Sequence, residues 1–253
     1  MYMRIVQARA KTGTLPTLQA LYNERVIPVL RNVNGCRYAA FMVSTRHADE
    51  CLSMTLWDEP ENALAYEASG RFPQLLDALK PHFSESSELR LQLSEDLTLQ
   101  FVPVPEDPIV EGYAVAVKEG LETPEPDGTD HLWVRMVSLK LRPGKLEEYK
   151  HDYLTRVVPA LRGLKGCRSV YLTARPGTSD EVFSVTTWDS LQSAEAYERS
   201  GLYESLLDAQ EHLLSRLFQW KRSRELSRRD ETMTSEDVAI ETFDVLASES
   251  FHA

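Results

Sequence analysis

The chain lacks most of the features that announce a chemistry. Three cysteines (Cys36, Cys51 and Cys167) in 253 residues are too few for a disulfide framework. Cys36 and Cys167 sit in matching contexts, Gly35-Cys36-Arg37 and Gly166-Cys167-Arg168, which marks them as buried thiols rather than as partners. No apolar run approaches the ~18–20 residues of a membrane-spanning helix. The start enters a strand pattern at once, with no basic stretch leading into an apolar one, so no secretory signal is read there. There is no Walker A motif, no G-x-G-x-x-G, no nucleophile elbow and no zinc ribbon. His47, His131, His151 and His252 show no metal-ligand spacing. Cations are also in deficit, 28 Lys and Arg against 39 Asp and Glu for a net charge of −11, which argues against a general nucleic-acid binder. The one basic cluster, Lys221-Arg222-Ser223-Arg224 with Arg228-Arg229, follows Leu213, Leu214, Leu217 and Trp220 and reads as the end of a helix. The expectation is a cytoplasmic protein with no membrane, nucleic acid, metal or cofactor among its partners.

What the chain does have is itself, twice. Gly35-Cys36-Arg37, Thr55-Leu56-Trp57-Asp58 and Tyr66-Glu67-Ala68-Ser69-Gly70 return at one fixed displacement as Gly166-Cys167-Arg168, Thr186-Thr187-Trp188-Asp189 and Tyr197-Glu198-Arg199-Ser200-Gly201. Laid over each other without a gap, 4–83 and 135–214 agree at roughly 29 of 80 positions, far above chance. The length then divides into two small units rather than one large domain.

Each unit carries the same order of patterns. Residues 3–11 alternate, with Arg4, Val6, Ala8 and Ala10 on one side, and 134–142 alternate likewise, a period of two that predicts a half-buried strand. Leu15, Leu18, Tyr22, Val26, Val29 and Val33 then recur at three- and four-residue steps, matched by Leu146, Tyr149, Tyr153, Val157, Ala160 and Leu164, which predicts a helix. Pro28 and Pro159 should kink or loosen its last turns, and Gly35 and Gly166 fit its exit. Strands over about 37–44 and 50–57, a helix capped by Asp58, a second helical segment after Gly70, and a strand over 88–104 complete the first unit. The second unit ends in a long helix over about 203–224 and a strand over 238–246. The result is α+β: two tandem ferredoxin-like β-α-β-β-α-β units. The expected boundaries are 1–104, an acidic, Pro-rich connection over 105–130 with a further strand inside it, 131–247, and a loose tail over 248–253.

The segments "PVLRNVNGCRYAAFMVS…LSMTLWDEPENALAYEAS" and "PALRGLKGCRSVYLTAR…FSVTTWDSLQSAEAYERS" resemble the dimeric α/β-barrel superfamily of antibiotic biosynthesis monooxygenase type. Shared features are Pro-x-Leu-Arg before the glycine, a strand ending in Trp-Asp, and a helix holding Ala-Tyr. The resemblance implies a pseudo-dimer within one chain, in which each sheet covers the other, with further homodimerisation open. It also implies a cofactor-independent monooxygenase-like protein acting on or binding a small aromatic or quinone-type molecule. The family's oxygenases place a tryptophan at this strand end, with polar partners four residues before it and six after. Carried over, these positions are Trp57, Ser53 and Ala63 in the first unit and Trp188, Ser184 and Ala194 in the second. Alanine cannot replace a phenol, so the set is incomplete and no catalytic residue is assigned. Trp57 and Trp188 are expected as stacking walls, with Ser53 and Ser184 as hydrogen-bond partners. The alternative is a non-catalytic ligand-binding or stress-related barrel whose tryptophans only pack. A third reading, haem binding or degradation, meets Leu76 and Leu207 where the resemblance implies an axial histidine.

Overall fold

The computed structural model describes residues 1–93, 99–105, 109–120, 132–174, 180–215 and 238–251. Residues 175–179, the basic cluster at 221–229, His131, His252 and the flanks of the connecting segment lie outside the described residues. Chain contacts divide the molecule into two units. The first comprises Met1–Glu111 with Leu246–Ala253, and the second Gly112–Val245.

In the first unit β1 (Tyr2–Arg9) and β2 (Cys36–Ser44) both pair antiparallel with β3 (Glu50–Trp57). The period of two along β1 and β3 aims Arg4, Val6 and Ala8 with Cys51, Ser53 and Thr55 at the helices. Met3, Ile5, Ala40, Met42, Leu52, Met54 and Leu56 alternate with these, and they too are buried. The sheet therefore buries both of its faces.

The helix after β1 is interrupted where the sequence places its proline. Residues α1 (Leu15–Leu21) and α2 (Ile27–Arg31) are α-helical, and Tyr22–Val26 between them forms a π turn, with the Ile27 N–H bonded to the Tyr22 carbonyl five residues back. Pro28 has no N–H for the ladder, and its ring would crowd the carbonyl four residues earlier; one wider turn relieves that crowding. The second unit repeats the device between α5 (Leu146–Asp152) and α6 (Val158–Arg162), with a π turn at Tyr153–Val157 ahead of Pro159.

Helices α3 (Pro60–Ala68) and α4 (Arg71–Leu79) follow, meeting at Gly70, whose φ of 75° is left-handed. Asp58 is not the cap of α3. Glu59 takes that place in a capping box with Asn62, because both Asp58 oxygens accept from Arg37, at 2.7 and 2.6 Å. The single strand expected over 88–104 is a hairpin, β4 (Glu85–Leu93) with β5 (Leu99–Pro105), and Ile109–Gly120 is β6.

The second unit orders its sheet β6, β8 (Cys167–Ala174), β9 (Glu181–Trp188), β7 (Trp133–Lys140) and β10 (Val238–Ser250). Its last four strands have the ferredoxin-like order, with α7 (Leu191–Arg199) and α8 (Leu202–Gln210) following β9. Two expectations are corrected here. The long helix stops at Gln210 and a short turn to Leu213, since Leu213 and Leu214 are fully buried and Leu214 bridges back to Leu141. Nor is the tail loose from 248: β10 continues to Ser250, Ala247 and Phe251 enter the first unit's core, and the Phe251 N–H donates to the Arg37 carbonyl at 2.8 Å. Burying a phenylalanine of this kind is worth roughly 2 kcal/mol, enough to hold the segment in place.

Gly35 has a φ of 77°, and a Cβ built on it would meet the Asn62 side chain at 2.4 Å; Gly70 has nearly the same φ with nothing within 4 Å. Gly70→Ala is therefore expected to cost roughly 1–2 kcal/mol for left-handed backbone alone. Gly35→Ala should cost at least about 1 kcal/mol more, because it also displaces the capping box, as urea denaturation of the two variants will measure.

Candidate functional site

In the first unit a cavity lies between the sheet and the helices. Strands supply Arg4, Val6, Ala8, Phe41, Cys51, Ser53 and Thr55; helices supply Leu18, Tyr22 and Tyr66 with an apolar wall of leucines. It leaves about 60 Å³ for the centres of water-sized molecules, inside an envelope of about 640 Å³ that includes its mouth. The lining is mostly apolar with a few convergent polar groups, the usual character of a small-molecule site.

The first polar element is a pair. Ser53 Oγ and Tyr22 Oη lie 2.9 Å apart, and the Tyr22 hydroxyl also donates to the Ala40 carbonyl at 3.2 Å. Tyr22 is placed by the π turn and stacks on Phe41 at 5.3 Å. Burial pushes its pKa up and the Ser53 hydrogen bond opposes this only in part, so Tyr22 stays a neutral phenol. When Tyr22 donates to Ala40, the Ser53 hydroxyl can donate to Tyr22 and offer its lone pairs to a ligand. When Tyr22 donates to Ser53, the serine proton is free for a ligand. One pair thus serves a hydrogen-bond donor or an acceptor.

The second polar element is Arg4. It is 4% exposed, donates from Nε to Glu67 at 2.6 Å, and lies 4.0 Å over the Phe72 ring.

The tryptophans take no part in the lining. Trp57 is wholly buried, gives its indole N–H to Thr55 Oγ1 at 2.8 Å, and lies behind Tyr66 with ring centres 5.5 Å apart. Trp188 repeats this with Thr186 at 2.9 Å and Tyr197 at 5.4 Å. The expectation of Trp57 and Trp188 as walls is corrected: Tyr66 and Tyr197 face the cavities, because the side chain from the helix passes in front of the strand-end ring. Ser53 and Ser184 do line cavities. Leu76 and Leu207, the positions where the resemblance implies an axial histidine, line them too. Among the described residues no three His, Cys, Asp or Glu are grouped to hold a metal.

The second unit's cavity has the same plan in less space. Tyr153 Oη lies 2.7 Å from Ser184 Oγ, and Arg135 donates to Glu198 at 2.7 Å. Leu139 stands where the first unit has Ala8, and Tyr149 where it has Leu18. Those larger side chains leave about 30 Å³ within an envelope of about 390 Å³.

Sequence reasoning missed Tyr22 and Arg4. The signal for Arg4 was present, since it and Arg135 share a strand side with apolar residues in both units. In the sequence Tyr22 is one position of an apolar helix stripe; only the fold pairs its hydroxyl with Ser53.

Burial holds Tyr66 up at about 12 from an ordinary 10.0, and Cys51 up at about 12 from 9.0. Unfolded chains release these protons first, so stability is fully present below the unfolded values and is lost as pH rises towards the folded ones. Urea midpoints should be level up to about pH 9 and fall above it, with a shallower fall in Tyr22→Phe above about pH 10.

The family model for antibiotic biosynthesis monooxygenases matches residues 1–83 and 133–211, together well over half of the chain. A candidate monooxygenase from Fusobacterium nucleatum superposes with a TM-score of 0.64 at 9% identity, covering 98% of this chain and 94% of its own. One from Lactobacillus acidophilus gives 0.66 at 6% identity, covering 98% and 95%. An anthrone oxidase-like protein gives 0.58 at 13% identity, covering 98% and 92%. No curated protein matches by sequence. Likenesses this distant establish fold, and the family rests on the doubled match: the chain belongs to the antibiotic biosynthesis monooxygenase family, with one such unit in each half.

Proposed function

We propose that the first unit binds a small aromatic molecule of phenol or quinone type and oxidises it with molecular oxygen, without a cofactor. The observation that carries this reading is the Tyr22–Ser53 pair in an apolar cavity. A phenol donates to Ser53 and a quinone accepts from it, so the two-way pair suits both reactant and product. In such an oxidation the electrons come from the substrate. At a ring methylene flanked by phenolic rings, one oxygen atom becomes the new carbonyl, and the other leaves as water with the two hydrogens that the carbon lost. The protein contributes binding, orientation and stabilisation of the ionised substrate. The anthrone oxidase-like neighbour is named for chemistry of this type.

A second reading, binding without turnover, is favoured by two observations. Among the described residues no carboxylate or histidine lines the cavity to act as a base, and Tyr22 is held neutral.

Oxygen consumption decides between them. Dihydroxynaphthalenes and anthrone-type phenols should drive uptake without added flavin or metal, and Ser53→Ala should lower kcat/KM about tenfold or more. The double change Ala8→Leu with Leu18→Tyr, which gives the first cavity the second's larger residues at those two positions, should abolish both uptake and binding. Binding without uptake would leave the non-catalytic reading, and neither would remove both.

A further inference from the structure

Arg4 has a donor without an acceptor. Its side chain is 4% exposed and lines the first unit's cavity, yet Nη2 is shut off from solvent and has no hydrogen-bond partner. The neighbours do not supply one. Glu67 bonds Nε alone, and Phe72 lies against the face of the guanidinium, whereas the N–H groups point out in its plane. A buried cationic donor left unmade is costly, and such a group persists where something else completes it. What completes a guanidinium best is a carboxylate or other anionic oxygen, since the planar fork matches it in geometry and charge.

From the unpaired donor and its apolar surroundings we infer that the first unit's ligand is an aromatic anion whose charged oxygen binds Arg4 Nη2 while its ring occupies the apolar cavity. The inference rests on the reading of this cavity as a ligand site and narrows its substrate class.

The second unit provides an internal control. Arg135 repeats the bond to glutamate, the unpartnered Nη2 and the place in a cavity lining, with the Tyr197 and Tyr203 rings at 5.4 and 4.4 Å. The space there, about 30 Å³, is half that of the first unit and is enough for a water to complete the Arg135 donor. Binding should therefore be one ligand per chain.

Benzoate and benzamide make the test, since they share shape and differ in charge. Calorimetry and ligand-observed NMR on the whole chain should give benzoate at least tenfold tighter than benzamide, with a stoichiometry of one. Arg4→Gln should remove that preference while leaving benzamide within about twofold, and Arg4→Lys should restore part of it. Equal affinities in the unaltered protein, or a preference that survives Arg4→Gln, would overturn the anion assignment and leave the cavity reading intact. If neither probe binds, or if Ala8→Leu with Leu18→Tyr leaves both unaffected, the cavity reading falls with it. Should Arg4→Gln fail to fold, the unaltered protein's preference and its loss in the cavity-filled variant still decide the matter.

Discussion

The site depends on the inability of one residue to donate a hydrogen bond. Pro28 cannot join the helical ladder, and the turn before it widens to the π form at Tyr22–Val26. That turn sets the height and direction of Tyr22, whose hydroxyl then reaches across to β2 and β3 at once. The aromatic contact with Phe41 and the pairing with Ser53 both follow from where the helix has been loosened. Pro159 does the same for Tyr153 and Ser184, so the device belongs to the repeated unit itself. π turns tend to occur where a side chain must be aimed, and these two aim a phenol at a serine.

On this shared scaffold the two halves have diverged by volume more than by chemistry. Both keep the tyrosine–serine pair, the buried arginine with its glutamate, and the tryptophan behind its tyrosine. The differences include Leu139 for Ala8 and Tyr149 for Leu18, changes of size at positions that border the cavity, with Tyr203 for Phe72 and Gln210 for Leu79 beside them. Close-packed interiors respond strongly to such changes. Polar residues that remain after the space has narrowed are consistent with a second site filled in from the inside, its framework retained because Trp188, Tyr197 and Arg135 are also part of the core.

Much of this was legible in the chain. The fixed displacement between Trp57 and Trp188 gave the doubling, and the two hydrophobic periods gave strands and helices close to their observed bounds. The turn at Pro28 was foreseen as a loosening, though not as a π turn. Other features depend on long-range contacts that no local pattern carries. Asp58 looks like a helix cap until Arg37, distant in sequence, takes both its oxygens. Trp57 looks like a wall because the family resemblance places a tryptophan at that strand end; that Tyr66 stands in front depends on how α3 packs. Alternation places Arg4 on one strand side with Val6, Ala8 and Ala10, and its unpartnered donor emerges only when Glu67 and Phe72 are placed around it.

The position of Phe251 bears on how the protein is made. The first unit begins at Met1 but takes Ala247 and Phe251 into its core, and the whole second unit lies between them in the sequence. Synthesis runs from the N-terminus, and domains generally fold as units as they emerge. The half translated first must therefore wait for the half translated later before its packing is finished. During that interval the first unit's core lacks Ala247 and Phe251, and nascent chains are vulnerable to aggregation or chaperone capture in that state.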